Sequence, residues 1–313
     1  MTIDKKFIDQ FIKVSTRAAL ASHYLVGKKD KIAADKAAVD AMRSELNKID
    51  MTGEIVIGEG ELDEAPMLYI GEKLGTKKGP ELDIAVDPLD GTNLAANNLP
   101  GALSVIAVAE KSNLFNAPET YMEKIATSKI EKGVVDLDYS VKKNIYNLSE
   151  FKNKSPEHLT ACVMDRPRHK KIIDELISLK VKIKLINDGD VSGALLVSDK
   201  IYNVDIFLGT GGGPEGVLAA SALDTLNCHF QGRFLFNTDH DKLRAKKMGI
   251  IDLNKKYELN EIVTGDSIFC ATGITVGDIV KGIDILNDEF YSETYVTHKS
   301  SGLNEIKKIK QKI

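Results

Sequence analysis

The sequence predicts an α/β or layered α+β protein, on two observations. Its N-terminal fifth carries apolar residues at helical spacing, and beyond it short β-like apolar runs alternate with helical stretches, the pattern of sheets covered by helices. Taken in order, Phe7, Ile8, Phe11, Ile12 and Val14, with Ala18, Ala19 and Leu25, form a first helix, and AADKAAVDAMRSELNKI after Asp30 continues the period as a second. GEIVIGEGE (53–61) is a short apolar run ending in acids, and APMLYIGEKLG (65–75) reads as a short helix closed by glycine. Strands follow at ELDIAVD, ALSVIAVAE, KGVVDLD, HLTACVMD, KIKLINDGD, VDIFLGTGGG and DSIFCATG, with helices at RHKKIIDELISLK and PEGVLAASALDTL. The polar, turn-rich NLSEFKNKSPEH (147–158) suggests a change of subdomain, dividing the chain into residues 1–150 and 151–313. Neither an internal repeat nor a low-complexity segment is present.

A chain of 313 residues, 43% hydrophobic and 28% charged, can bury a large core as one unit or two. The formal net charge of -4 gives no footing for a nucleic acid or an anionic membrane. The local basic runs GKKDK (27–31) and IKKIKQKI (306–313) read as solvated faces. Cys162, Cys228 and Cys270 lie far apart without a CxxC pair, so reduced, buried thiols are expected. No run approaches the length of a membrane span, and charges interrupt the first 26 residues, unlike a signal peptide. A cytoplasmic location is the expectation.

Four apolar runs end in similar chemistry. EIVIGEGE supplies Glu59 and Glu61, DIAVDPLDGT supplies Asp87 and Asp90, IKLINDGD supplies Asp188 and Asp190, and IFLGTGGGPEG leads through glycines to Glu215. In open α/β sheets ligands gather beyond the carboxyl ends of strands. Carboxylates brought into one crevice raise each other's pKa unless a cation lies between them, and oxygen donors of this kind suit Mg²⁺ or Mn²⁺. Pro88 fixes φ between two of the acids, Gly91 permits close backbone approach and Thr92 adds a hydroxyl, together a fair cradle for phosphate. Each piece alone is ordinary: DG is a turn, GTGGGPEG a loop capping a helix, and the six histidines form no ligand or triad spacing, which leaves them structural or superficial. The combination is specific.

At DPLDGT the chain resembles the metal-dependent, lithium-sensitive sugar and inositol phosphatase superfamily. With AADKAAVDAM, IVIGEGELDEAPMLYIGEKLG, NAPETYMEKI, RPRH, DGDV, GGGPEGV and FCATGIT in the same order from about Asp30 to Gly277, it is similar to class II fructose-1,6-bisphosphatase. The resemblance implies a layered αβαβα fold with mixed sheets in two halves, the first carrying most metal ligands and the second Glu215 and the sugar-phosphate contacts. It implies metal-dependent hydrolysis, with Mn²⁺ or Mg²⁺, of the 1-phosphate of fructose 1,6-bisphosphate, as in gluconeogenesis. Asp35, Glu59, Asp87, Asp90 and Glu215 would bind metal. Asp90, Gly91 and Thr92 would face the scissile phosphate, Asp90 and Thr92 as catalytic groups, with Thr92 positioning or deprotonating the attacking water. Tyr121, Arg166, Pro167, Arg168, Asp188, Gly189, Asp190 and Gly212 would hold the rest of the substrate, guanidinium forks suiting a second phosphate and carboxylates sugar hydroxyls. Some relatives have Glu at the position of Asp90 and Lys at that of Arg166, and neither change removes a needed group.

The implied partner is a small sugar bisphosphate, with no nucleic acid and no membrane, in a homo-oligomer (dimer or tetramer). Sedoheptulose 1,7-bisphosphate, one carbon longer, is an alternative or additional substrate. An inositol monophosphatase-like activity fits less well, since the chain has no tryptophan for a WDxAAG-like motif. A non-catalytic sugar-phosphate binder would be expected to have lost a ligand or Thr92.

Overall fold

The structure is a computed structural model that describes residues 2–58, 67–116 and 119–313. In chain order the elements are α1 (Lys6–His23), α2 (Lys31–Leu46), β1 (Thr52–Ile57), β2 (Lys73–Leu74), β3 (Glu81–Asp90), α3 (Thr92–Ala96), β4 (Leu103–Glu110), β5 (Tyr121–Thr127), α4 (Val141–Lys152), β6 (Thr160–Met164), α5 (Lys170–Ser178), β7 (Lys182–Ile186), α6 (Asp190–Leu195) and β8 (Ile206–Gly212). There follow α7 (Gly213–Thr225), β9 (His229–Leu235), α8 (Asp239–Lys247), β10 (Lys256–Glu258), α9 (Leu259–Ile262), β11 (Ser267–Gly273), β12 (Asp284–Leu286), β13 (Glu289–His298) and β14 (Leu303–Lys312). Helices alternate with strands, and both sheets mix parallel with antiparallel pairs, an α/β fold consistent with that of sugar phosphatases.

The elements form two compact units, one of residues 1–117 and 262–313 and the other of residues 118–261. The subdomain change read near residue 150 therefore falls inside α4, and residues after 261 return to the first unit. Ladder pairing explains the return, because β11 runs antiparallel to β4 from Ser267↔Ala109 to Gly273↔Leu103 and completes the first sheet.

In the first unit the strand order is β12-β13-β11-β4-β3-β1-β2, with β14 paired to β13. The helical stripe of α1 buries Phe7, Phe11, Ile12 and Val14 in one cluster with Ala38, Met42, Ile84, Ile106, Val108 and Cys270. Burial of one such large side chain contributes about 1.5–3 kcal/mol, so the sum over this stripe, more than helix propensity, holds α1 to the sheet. The described part of APMLYIGEKLG is not a helix. Gly71 and Gly75 hold φ of +93° and +92°, Gly71 N–H donates to Ile55 O at 2.7 Å, and Lys73 and Leu74 join the edge of β1. The basic C-terminal run is not merely a solvated face either: it is β14, paired along its length with β13, and its lysines guard an outer edge against further strand addition.

The second unit has the order β10-β9-β5-β8-β6-β7. Ile145 and Leu148 of α4 and Leu176 of α5 pack with Ile125, Ala161, Val163, Ile206 and Leu208 of the sheet. KGVVDLD, read as a strand, is a turn-rich segment. Its two aspartates have better partners than a ladder, since Lys256 Nζ lies 2.5 Å from Asp136 Oδ1 and 2.7 Å from Asp138 Oδ2, and Arg233 also pairs with Asp138. The three cysteines are free and buried, as expected. No helix among the described residues is long and apolar enough to cross a membrane.

Candidate active site

The acids of the first unit lie on α2 and at the end of β3. Asp35 is half-buried on α2 between the buried Ala34 and Ala38, in a helix opened by Asp30, whose Oδ1 accepts Ala33 N–H at 2.9 Å. Glu59 lies outside the described residues. Asp90 lies three positions after Asp87, an odd interval that would send them to opposite faces of a regular strand. The ladder with β4 shifts register between them, from Asp87↔Val105 to Asp90↔Leu103, because Pro88 has no N–H to pair. Asp87 Oδ1 accepts Leu89 N–H at 3.2 Å across this bulge, and Asp90 is buried beyond it. Gly91 follows at φ +83°, ψ +47°, a left-handed conformation that side chains resist, and Thr92 opens α3 half-buried.

In the second unit, Tyr121 of β5 stands opposite Gly212 of β8. The Arg168 guanidinium lies over the Tyr121 ring at 5.0 Å, and its Nε donates to Thr210 O at 2.8 Å. Pro167 opens the one-turn helix 167–169 that carries Arg168. Arg166 Nη2 is 3.1 Å from Asp188 Oδ1. Gly189, at φ +84°, turns the chain into α6, whose first residue Asp190 is buried.

Asp190 pairs with the ammonium of Lys124, a fully buried lysine of β5. Glu215, in the first turn of α7, curls back over Gly212 so closely that a Cβ on that glycine would lie 1.8 Å from Oε2. Burial pushes the Glu215 carboxyl up; the Lys124 ammonium draws it partly back, and the Asp190 carboxylate adds to the rise. Thus Tyr121, Arg168 and Gly212 are brought together, as are Asp190 and Glu215 around Lys124, and Arg166 pairs with Asp188.

Two members of this surface escaped the sequence reading. Lys124 left a readable trace, a charge alternating with Met122 and Ala126 on one face of a strand. His169, read as structural or superficial, is 1% exposed with both ring nitrogens engaged, and a lone histidine carries no spacing signal.

The residues present fit a hard cation. Glu215 Oε2 is buried without a hydrogen-bond partner, a state costly for a carboxylate oxygen unless a positive ligand satisfies it, and the donors are carboxylates, as Mg²⁺ and Mn²⁺ prefer. Among the described residues no group of three or more His, Cys, Asp or Glu is gathered as a metal cluster.

Acidic strand ends, a buried lysine among carboxylates and an arginine seated on an aromatic ring are fittings of an enzyme that acts on small phosphorylated molecules. The comparisons with known proteins agree. Residues 5–312 match the family described as bacterial fructose-1,6-bisphosphatase, glpX-encoded. A D-fructose 1,6-bisphosphatase class 2/sedoheptulose 1,7-bisphosphatase of Prochlorococcus marinus (strain AS9601) is 42% identical over 91% of this chain and 90% of its own length. One of the same description from Synechococcus elongatus is 41% identical over 88% of this chain and 87% of its own. The chain belongs to the bacterial fructose-1,6-bisphosphatase family, class II, within the lithium-sensitive phosphatase superfamily. It is a metal-dependent phosphatase that takes a small sugar phosphate as substrate.

Proposed function

We propose that this protein hydrolyses the 1-phosphate of fructose 1,6-bisphosphate to fructose 6-phosphate and phosphate, and that it accepts sedoheptulose 1,7-bisphosphate at the same site. The observation that carries the bisphosphate reading is Arg168, whose guanidinium is held by the Tyr121 ring and the Thr210 carbonyl. A guanidinium fixed in this way suits bidentate recognition of a phosphate that is retained rather than cleaved. Arg166, Pro167, Asp188, Gly189, Asp190 and Gly212 complete the proposed sugar-phosphate contacts. Asp190, oriented by Lys124, accepts hydrogen bonds from sugar hydroxyls.

Asp35, Glu59, Asp87, Asp90 and Glu215 are the proposed ligands of Mn²⁺ or Mg²⁺. When bound, such an ion supplies charge neutralisation at the phosphate and acidifies water. Gly91 admits the scissile phosphate close to the backbone. Thr92 Oγ1 orients the attacking water for in-line displacement and Asp90 accepts its proton, while the bond from phosphorus to the sugar O1 breaks and O1 leaves, taking up a proton from solvent, positioning being the larger part of phosphoryl-transfer catalysis. The longer sugar is included because both substrates present the same reacting phosphate and a second one, and the two relatives carry both activities in their names.

The test is phosphate release by metal-stripped protein with Mg²⁺ or Mn²⁺ restored, on fructose 1,6-bisphosphate, sedoheptulose 1,7-bisphosphate and inositol 1-phosphate. Metal-dependent release from the two bisphosphates is expected. Release from inositol 1-phosphate alone would refute the bisphosphate reading, and silence on all three would point to a binding protein.

A further inference from the structure

Resting on the reading of Arg168 as the anchor of the retained phosphate, we infer that the buried imidazole of His169 is a positioning residue that fixes Arg168 through the Thr210 backbone. The local sequence is RPRH (166–169). Pro167 starts a single 3₁₀ turn, closed by His169 N–H to Arg166 O at 2.9 Å. That turn points adjacent side chains in opposite senses: Arg168 is exposed and His169 is 1% exposed.

The ring's protonation state follows from fixed neighbours. Thr210 N–H can only donate, and it reaches Nε2 at 2.8 Å, so Nε2 is bare. Met164 O can only accept, and it lies 2.8 Å from Nδ1, so the ring proton is there. Burial pushes the imidazole pKa down; Met164 O, accepting from Nδ1–H, favours the charged ring, as does the Asp190 charge, the facing Arg168 charge opposes it, and the net direction is downward. The neutral Nδ1–H tautomer is therefore the working form.

The edge of β8 explains why this matters. In an extended strand a residue's N–H and C=O point to the same side. β6 pairs with β8 only at Ala161↔Ile206 and Cys162↔Phe207, so farther along, Thr210 turns both groups to an edge that β6 does not cover. His169 takes the N–H and Arg168 takes the C=O. Gly209 leaves room for the ring, since a Cβ there would meet its Cε1 and Nε2 at 3.1 Å. The peptide groups on either side of Thr210 are thus clamped between the histidine behind and the arginine in front.

Loss of the imidazole releases the Thr210 N–H, and the carbonyl that holds Arg168 loses its fixed position. The retained phosphate is bound alike in ground and transition states, so the expected signature is a raised KM with kcat little changed. In the full-length protein with Mg²⁺ and fructose 1,6-bisphosphate, His169→Phe should raise KM about tenfold. His169→Gln, whose amide oxygen can reach the Nε2 position and accept from Thr210, should recover most of that loss. His169→Asn, which reaches only the Nδ1 position, should not.

Arg168→Ala should raise KM too, and combining it with His169→Phe should add nothing further, because one clamp has been broken twice. Multiplicative effects in the double variant, equal KM values for the Gln and Asn variants, or a fall in kcat at unchanged KM would each overturn the inference. An unchanged KM in Arg168→Ala alone would overturn the reading of Arg168 on which it rests. The Gln and Asn pair decides the matter even if the Phe variant does not fold.

Discussion

Gly212→Ala tests the carboxylate of Glu215 without touching it. Gly212 has φ -65° and ψ 142°, a conformation open to any L residue, so alanine brings no backbone strain and removes some unfolded-state entropy, worth roughly 0.4–1 kcal/mol of stabilisation. The cost is local. The new Cβ would lie 1.8 Å from Oε2, 2.5 Å from Cδ and 2.8 Å from Oε1 of Glu215, whereas carbon and oxygen in contact keep more than about 3 Å. The carboxylate must therefore retreat by more than an ångström, and it can, because it ends a flexible side chain. A proposed metal ligand moved so far loses its coordination geometry, and losses of about 10–100-fold accompany even the removal of groups that merely support a ligand. Titration of metal-stripped protein with Mn²⁺, followed by calorimetry and by activity, should show the half-saturating concentration rising at least about tenfold, with thermal stability unchanged or slightly raised. Wild-type Mn²⁺ affinity in a stably folded Gly212→Ala protein would refute Glu215 as a ligand.

Three further outcomes follow from buried charges and thiols. Lys124→Met leaves the Asp190 carboxylate buried without its cation and should destabilise the protein by about 3–5 kcal/mol in urea unfolding, with Lys124→Met/Asp190→Leu recovering part of the loss. For Asp205, burial favours the protonated form, but Lys152, Thr160 N–H and Lys154 outweigh it and hold the carboxyl below its usual 3.8. The native state binds fewer protons than the unfolded one in that window, so this stabilisation is complete above pH 3.8 and fades as pH falls through the lower, native pKa; Asp205→Asn should flatten the acid limb of the stability curve, and an unchanged slope would count against it. Burial pushes the Cys228 thiol up to about 12 and raises that of Cys270 as well, so neither should react with a disulfide reagent at pH 8 until denaturant is added.

What could be read in the sequence was what local pattern controls. The stripe Phe7, Phe11, Ile12, Val14 has one stable use, a helix laid on a sheet, and the run ending at Asp87 and Asp90 announces a strand that stops in acids. Long-range competition hid the rest. Val134 and Val135 look like strand residues, yet Asp136 and Asp138 beside them are claimed by Lys256 and Arg233, about a hundred residues or more away in sequence. The lysine-rich end looks like a solvated face because the lysines sit on an edge strand, where charge discourages aggregation. At the candidate site the same division holds: acids beside glycines declare themselves, whereas His169 matters only because the uncovered edge of β8 meets it 41 residues on. Composition names the groups that touch a ligand; the groups that hold those in place are chosen by which backbone donors and acceptors the sheet leaves over, and that is decided by topology.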